Sequence, residues 1–321
     1  MQRESGDSRS WILRSWRTTR WAFGWHHLPG LLLLLGFGIQ AFTGALLAFY
    51  YRPTVERAFE SVNLIRYRVF LGEVIHSVHH WGAYVLTGLA VLHGLGILIQ
   101  RDYLRLRGQW LVGTGLLALL VLSDVTGHLL PWSQTGLWTT VRALEEIRRL
   151  PGLGALFSFL VGGIDVTQDT LTRFYFLHVS ALPGLFVLLA FTHVHASFRS
   201  GLRRPSLGRP VYPDWVHWGL SALLLWVGGL TTLAVLAPPL HPEVADVLHP
   251  PTVTRAPWYF RPLQWLEPRA PGWALGWGFL ALLAFWTLLP WLDDRRRGTL
   301  RWWALGTALG YIALAWVGSY R

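Results

Sequence analysis

Two apolar stretches decide the fold: HHWGAYVLTGLAVLH (residues 79–93) and HVSALPGLFVLLAFTH (residues 178–193). Each begins and ends with a histidine. At about 1.5 Å rise and about 100° per residue, fourteen steps along an α-helix cover about 21 Å and return to nearly the same face. Fifteen steps end about 60° away from the starting face and one residue further along the helix axis. Two such helices side by side would offer two stacked histidine pairs, one near each membrane surface, an arrangement typical of two haems and an electron path across a bilayer.

The composition indicates a membrane protein. Of the 321 residues, 52% are hydrophobic. Runs of about 20 apolar residues are long enough to cross a bilayer, and only helices or closed barrels satisfy the backbone there. The sequence contains seven such runs, near residues 30–51, 78–100, 110–131, 174–198, 216–237, 273–292 and 302–319. We therefore expect an all-α fold.

The net charge of +11 comes from arginines that lie in the loops between these runs. In a soluble protein this balance would suggest nucleic acid, but here a membrane surface is favoured and no nucleic acid is expected. With seven spans, the loops on the N-terminal side hold 16 Arg and 6 acidic residues, and the opposite loops hold 12 Arg and 10 acidic residues. The positive-inside rule then predicts a cytoplasmic N-terminus in the cell inner membrane.

The absence of cysteine excludes disulfides, iron–sulfur ligation and thioether-linked haem in this chain, so a redox centre must use other ligands. A histidine inside a span is costly and is a functional candidate. A single one could equally be bonded to a neighbouring helix or lie at the interface. Two pairs at matching separations predict ligands instead: His79, His93, His178 and His193.

Glycines repeat the histidine spacing on two other runs. Gly30 and Gly44 are 14 residues apart, and so are Gly113 and Gly127. A porphyrin between helices needs close backbone approach at two depths, which glycine allows. The alternative for each pair is the small-residue packing that is common between membrane helices.

Several motifs give the chain a family resemblance. They are FYYRPTVERAFESV (49–62), HSVHHW (76–81), TGHLLPWSQTGLW (126–138), QDTLTRFYFLH (168–178), YPDW (212–215) and APWYF (256–260). With the four histidines and four glycines, they make the chain resemble the cytochrome b/b6 family. The resemblance implies a b6-like four-helix di-haem domain (30–200) and a fused subunit IV-like domain with three further transmembrane helices (201–321). They follow the N-terminal segment (1–29), which the charge distribution predicts to be cytoplasmic.

The same resemblance implies the roles of the ligands. His79 and His178 would hold the outer, low-potential haem b, and His93 and His193 the inner, high-potential one. Arg173 matches a position beside the outer haem and could meet a propionate, or be an ordinary interfacial arginine. His76 stands where the family usually has an arginine. Gly30, Gly44, Gly113 and Gly127 fall on the family's haem-clearance glycines.

The outer quinol site departs from the family at one position. The family motif is Pro-Glu-Trp-Tyr, and its glutamate accepts a proton, but this chain has Pro257 in that place. Tyr259 remains and could bond a quinol oxygen. Asp124 and His128, in the third run, are the candidates to replace the glutamate, although Asp124 could also be bonded to a helix end.

For the inner quinone site the resemblance implies Asp214 and Arg199. Their alternative is that they are solvated loop charges. The third haem of b6-type proteins is attached through a cysteine at the start of the first span. Leu28 occupies that position, so covalent attachment is excluded here.

These features predict a di-haem b subunit of a quinol–cytochrome c oxidoreductase, or of an enzyme with a similar acceptor, that is not active alone. Its expected partners are a Rieske-type iron–sulfur protein, a cytochrome c-type subunit or carrier, quinol, membrane lipid and a second copy of the chain. One alternative is a di-haem anchor that links the quinone pool to a non-Rieske partner without bifurcation. An alternative from another class is a haem-free transporter, against which the histidine pairs argue.

Overall fold

The computed structural model describes residues 28–201, 214–240, 243–252, 254–294 and 298–318. Within these ranges the fold is all-helical, as predicted, and the β pairing is limited to one isolated bridge between Ser133 and Val244. The helices are α1 (Leu28–Ala48), α2 (Ala58–Arg68), α3 (Gly72–Ile99), α4 (Asp102–Arg105), α5 (Arg107–Leu129), α6 (Gln134–Arg148), α7 (Gly154–Val161), α8 (Gln168–Phe176), α9 (Leu182–Gly201), α10 (Asp214–Leu236), α11 (Arg261–Leu266), α12 (Gly272–Leu292) and α13 (Leu300–Val317).

Six helical segments in the described ranges are long and apolar enough to cross a membrane. They are Leu28–Ala48, Gly72–Ile99, Arg107–Leu129, Gln168–Ser197, Gly219–Leu236 and Trp273–Leu292, and they match the first six predicted runs. The seventh run forms α13, but its 18 residues include Arg301 and it is not among the six. The chain is therefore a multi-pass membrane protein, and a seventh crossing stays a prediction.

Helix α3 begins at Gly72, six residues before the predicted run, because a polar contact supports its first turn. The Arg66 guanidinium on α2 donates to both Glu73 carboxylate oxygens, at 2.7 and 2.9 Å. These bonds raise the pKa of the Arg66 side chain, which is only 3% exposed. The surface helix α2 is thereby fixed to the start of the histidine-bearing helix.

A π-helical turn, Leu177–Ala181, joins α8 to α9. The Leu182 N–H donates to the Leu177 carbonyl, five residues back instead of four. Pro183 follows at once, and since proline has no N–H it cannot complete the regular ladder at this place. The turn therefore takes up one extra residue in a helix that is otherwise α-helical.

Helices α1, α3, α5 and α9 pack into one bundle, which we call the haem bundle. Helix α1 packs along α3, α9 packs along α5, and α10 lies against both α3 and α1. At its centre Phe37 stacks on Phe186 with ring centroids 4.0 Å apart. These rings belong to an apolar cluster with Leu119 and Leu182. The bundle is thus filled at mid-depth and opens toward polar groups at both ends.

Contacts at both ends join the haem bundle to the later helices. At one end the loop before α11 pairs with the start of α6, where the Ala245 N–H donates to the Trp132 carbonyl at 3.0 Å. At the other end the Tyr103 hydroxyl donates to the Asp293 carboxylate, and the Trp110 indole donates to the Trp286 carbonyl at 2.8 Å. The second part of the chain is therefore held against the bundle at both ends.

Candidate functional site

His79 and His178 face each other across the bundle, at what we call the outer level. Their ring centroids are 6.0 Å apart and their planes make an angle of 79°. This separation is compatible with one metal atom bonded to a nitrogen of each ring at roughly 2 Å. No group of three or more His, Cys, Asp or Glu that could hold a metal forms among the described residues.

Hydrogen bonds set which nitrogen each outer histidine presents. His178 Nδ1 lies 2.8 Å from the Ser123 carbonyl, which can only accept, so Nδ1 carries the proton. His79 Nδ1 lies 3.0 Å from Thr43 Oγ1, whose own proton goes to the Ile39 carbonyl at 2.8 Å. In their neutral form both rings therefore carry the proton on Nδ1 and leave the lone pair of Nε2 free, as a metal ligand requires.

The four repeated glycines each face one of the four histidines. A Cβ on Gly44 would lie 2.9 Å from His79 Cε1, and one on Gly127 would lie 2.5 Å from His178 Cε1. A Cβ on Gly113 would lie 3.3 Å from His193 Cε1, and one on Gly30 would lie 3.7 Å from His93 Cε1. Real Cβ atoms essentially never lie closer than 3.0 Å to such a neighbour. Gly44 and Gly127 therefore provide clearance that no other residue could give.

We call the end of the bundle with His93 and His193 the inner level. His193 Nδ1 is buried and makes no hydrogen bond within the described part of the chain, although the Gln109 backbone is near enough to interact with the ring. The Gln109 amide donates to Ser197 Oγ at 3.0 Å, and this hydroxyl donates to the His193 carbonyl at 2.8 Å. The inner ligand helix is thus braced through its backbone.

The π-helical turn explains the unequal histidine spacing. His178 lies inside that turn, so one of the fifteen steps from His178 to His193 is taken up there. The 60° offset expected for a regular helix is thereby largely cancelled, and α9 presents its two histidines much as α3 presents its own. With the glycine clearances, this arrangement fits two bis-histidine haems, and the ligand assignment stays a prediction.

Polar groups collect near the outer level on the third span. Asp124 Oδ2 and His128 Nε2 are buried and have no hydrogen-bond partner among the described residues. The two residues are four apart on α5 and so share a face. The Tyr84 hydroxyl on α3 interacts electrostatically with both Asp124 and Arg261. Sequence reasoning missed Tyr84 and Arg261, although a tyrosine within an apolar run was a usable signal.

The motif residues 256–260 lie beside this polar group. Tyr259 is 7% exposed, and its hydroxyl has no partner within the described ranges. Its carbonyl accepts from the Tyr311 hydroxyl at 2.6 Å. Trp258 reaches α3, 4.0 Å from where a Cβ on Gly88 would lie. Trp258 and Arg261, on either side of Tyr259, therefore bring this part of the chain against α3.

The remaining predicted residues are less fully described. The Arg173 guanidinium donates to the carbonyls of Phe159 and Leu160 at the end of α7, so the propionate contact stays a prediction. Arg199 is exposed near the end of α9. Asp214 begins α10, but its side chain lies outside the described residues, as does most of segment 1–29. The inner quinone site stays a prediction.

Two other histidines lie close to the ligand positions. His80 contacts the rings of Trp81 and Tyr84, with centroids 5.2 and 5.1 Å away. His195 is exposed and stacks against Phe191, with centroids 6.1 Å apart. Both therefore pack against aromatic neighbours on their own helices, whereas the four predicted ligands face glycines of other helices.

Comparison with known proteins agrees with this geometry. Residues 17–200, which carry all four histidines and all four glycines, match the family described as Cytochrome b/b6/petB. Cytochrome b6 from Heliomicrobium gestii is 40% identical over 166 residues, 51% of this chain and 78% of that protein. Cytochrome b6 from Gloeobacter violaceus is 36% identical over 178 residues, 55% of this chain and 83% of that protein.

A solved structure extends the likeness to the whole chain. A chain of a hyperthermophilic respiratory Complex III superimposes with a TM-score of 0.82, covering 98% of this chain and 90% of that chain. The two sequences are 24% identical, so the match establishes a shared fold. The region after residue 200, which the family match does not reach, has the same architecture as in that structure.

Proposed function

Because the chain belongs to the cytochrome b/b6 family, we propose that it is the di-haem b membrane subunit of a quinol-oxidising electron-transfer complex. Membership of this family implies haem b binding. The observation that carries the proposal is the four histidine–glycine contacts, arranged two at each level of one bundle. When bound, the two haems would supply a one-electron path across the membrane.

Within this proposal the chain's own residues hold and orient the cofactors. His79 and His178 would be the axial ligands at the outer level, and His93 and His193 at the inner level. The acceptors at His79 and His178 Nδ1 keep the ring protons away from the metal side. Gly30, Gly44, Gly113 and Gly127 would admit the macrocycles between the helices.

Quinol oxidation would take place at the outer level. Tyr259 would bond a quinol oxygen, and Asp124 with His128 would take the proton that the missing glutamate usually accepts. What supports this role is that both side chains are buried and have an atom without a protein partner in the described ranges. Tyr84 and Arg261 would carry the charge interaction from Asp124 toward the motif loop. Asp214 and Arg199 would serve an inner quinone site.

The complex would be completed by other chains. A Rieske-type iron–sulfur protein would accept one electron, a cytochrome c-type subunit or carrier would follow it, and two copies of this chain would form a dimer. The membrane would be the cell inner membrane, with the N-terminus in the cytoplasm. The arginine excess in the N-terminal-side loops supports this orientation.

One observation favours a second candidate function. Pro257 occupies the place of the proton-accepting glutamate, so the chain could instead be a di-haem anchor that passes electrons between quinone and a non-Rieske partner. In that case the outer quinol site would be inactive, and Asp124 would be dispensable for electron flow.

The test is to purify the complex through this chain from its membranes. Pyridine-haemochrome stoichiometry should give two haems b per chain, and the reduced-minus-oxidised spectrum should show two b components. Co-purification of an iron–sulfur subunit supports the first function, and its absence with retained quinone reactivity supports the second. A chain without a haem absorption band would contradict both and favour a transporter.

A further inference from the structure

Tyr259 is held through its backbone, while its phenol hydroxyl is left free. The residue is buried, and the hydroxyl has no partner in the part of the chain that the structure describes. Its carbonyl, in contrast, accepts a hydrogen bond of 2.6 Å from the hydroxyl of Tyr311, which lies 52 residues further along the chain on α13. The side chain therefore keeps its hydrogen-bonding capacity although the peptide group that carries it is anchored.

Other hydrogen bonds shape the motif residues 256–260 from within the same stretch of chain. The Phe260 N–H donates to the Pro257 carbonyl at 2.8 Å, and the Ala256 N–H donates to Gln264 Oε1 at 3.1 Å. These bonds set the local turn. The bond from α13 has a different effect, because it ties the motif to a separate helix.

Helix α13 also packs against this part of the chain. The ring of Phe279 on α12 contacts the ring of Tyr311 and that of Phe260, with centroids 6.4 and 6.5 Å away. At the end of α13, a Cβ on Gly318 would lie 3.4 Å from the Arg261 Cβ. The Tyr311 hydroxyl is therefore presented by a helix whose own place beside the motif is set by packing.

Anchoring a carbonyl restricts the direction of the side chain on the same residue. The carbonyl lies in a rigid peptide plane, and that plane includes the Cα atom from which the side chain leaves. A tyrosine has two side-chain torsions beyond this point, and each has few preferred values. A group that binds a substrate is more effective when it is held in place before the substrate arrives.

We propose that Tyr311 is a positioning residue of the outer quinol site, where its hydroxyl anchors the Tyr259 carbonyl so that the Tyr259 phenol is aimed at the quinol oxygen. This inference rests on the proposed function, in which Tyr259 binds quinol. It gives α13 a part in quinol binding, although this helix lies outside both the haem bundle and the motif.

The experiment measures quinol oxidation by the purified complex, with decylubiquinol and menadiol as probes and with rates expressed per haem b. Tyr311→Phe keeps the ring and removes the hydroxyl. The KM for quinol should rise about fivefold, the size expected for the loss of one hydrogen bond, while kcat and haem content stay unchanged. Because rates are counted per haem, a lower yield of the variant complex does not affect the comparison.

A double-mutant cycle separates positioning from a purely structural role. If Tyr311 acts through the Tyr259 phenol, Tyr311→Phe should raise the KM no further in a Tyr259→Phe background. The matched control is Thr307→Val, one turn earlier on α13. It removes the hydroxyl that accepts from the Trp286 indole at 3.3 Å, and it should leave the KM unchanged.

Three results would overturn the inference while leaving quinol oxidation by the wild-type complex intact. They are an unchanged KM in Tyr311→Phe, an equal rise in Thr307→Val, and a full additional rise when Tyr311→Phe is added to Tyr259→Phe. Failure of the proposed function would look different, because the wild-type complex would then oxidise neither probe, and the inference would fall with it.

Discussion

The outer and inner levels of the haem bundle share a pattern of histidines facing glycines. They differ in the distance between each glycine and the ring that faces it. At the outer level the glycine clearances are 2.5 and 2.9 Å, whereas at the inner level they are 3.3 and 3.7 Å. The outer rings have Nδ1 acceptors, and the inner helix is braced through the His193 carbonyl. The repeat thus places a predicted ligand pair at each level, and the residues around the two pairs differ.

The largest effect should come from removing one outer ligand. His178→Leu should lower the haem content from two to one per chain and abolish quinol oxidation, because leucine has no lone pair to offer a metal. The inner b component should persist in the difference spectrum, since His93 and His193 are untouched. Pyridine-haemochrome analysis and the reduced-minus-oxidised spectrum measure both outcomes.

The matched control is His80→Leu, which removes a histidine next to a ligand. His80 packs against Trp81 and Tyr84, so haem content should stay at two. Loss of a haem in His80→Leu together with retention in His178→Leu would show that the ligand assignment at the outer level is wrong.

The next effect concerns proton acceptance at the outer level. Asp124→Asn should lower quinol oxidation about 10²-fold with haem content unchanged, in the range for loss of a general base. At the inner level the residue fourteen positions earlier is Trp110, so no equivalent carboxyl exists there. Steady-state quinol oxidation by the purified complex measures the change.

The control is Asp169→Asn, which removes an exposed carboxyl at the start of α8 and should retain the wild-type rate of quinol oxidation. Adding Pro257→Glu to Asp124→Asn should recover part of the activity, because it restores a carboxyl to the motif loop. Full activity in the Asp124→Asn, His128→Leu double variant would refute the substitution of the missing glutamate by these residues.

A smaller effect compares two glycines of the same repeat. Gly127→Ala places a Cβ 2.5 Å from His178, so it should lower stability by about 1–3 kcal/mol and displace the outer ligand. Gly30→Ala places its Cβ 3.7 Å from His93, an ordinary contact, and should change stability by no more than about 0.5 kcal/mol. Thermal unfolding and haem stoichiometry compare the two variants. Equal losses of stability would contradict the difference between the two levels.

The sequence predicts the ligand positions from a repeat of side chains, and the structure brings the residues of that repeat together without testing their role. Histidine pairs fourteen and fifteen residues apart, matched by glycine pairs fourteen residues apart, have few other causes, and the structure places each histidine beside one glycine. The first six apolar runs became helices for a similar reason, since apolar length decides insertion. Of the motifs behind the family resemblance, those between residues 49 and 178 lie within the matched residues 17–200.

Backbone geometry and long-range contacts were not predicted from the sequence. A regular helix would offset His178 from His193 by about 60°. The π-helical turn at Leu177–Ala181 removes most of this offset, and Pro183 was its sequence signal. The Ser123 carbonyl has no side-chain signature, so its bond to His178 could not be foreseen. Tyr84 and Arg261 come together only because α3 meets the motif loop, a long-range contact that local patterns do not encode.

The smallest effect tests the brace at the inner level. Ser197→Ala removes the hydroxyl between the Gln109 amide and the His193 carbonyl, and loss of such a chain should cost about 1 kcal/mol. The inner b component should broaden or shift in the difference spectrum while the outer one stays unchanged, because the outer histidines have acceptors of their own. Thr192→Val is the control, since its exposed hydroxyl donates only to the Leu189 carbonyl of the same helix. A change confined to the outer component would contradict this comparison. It would mean that the Ser197 brace on α9 supports the outer level, where the histidines already have Nδ1 acceptors.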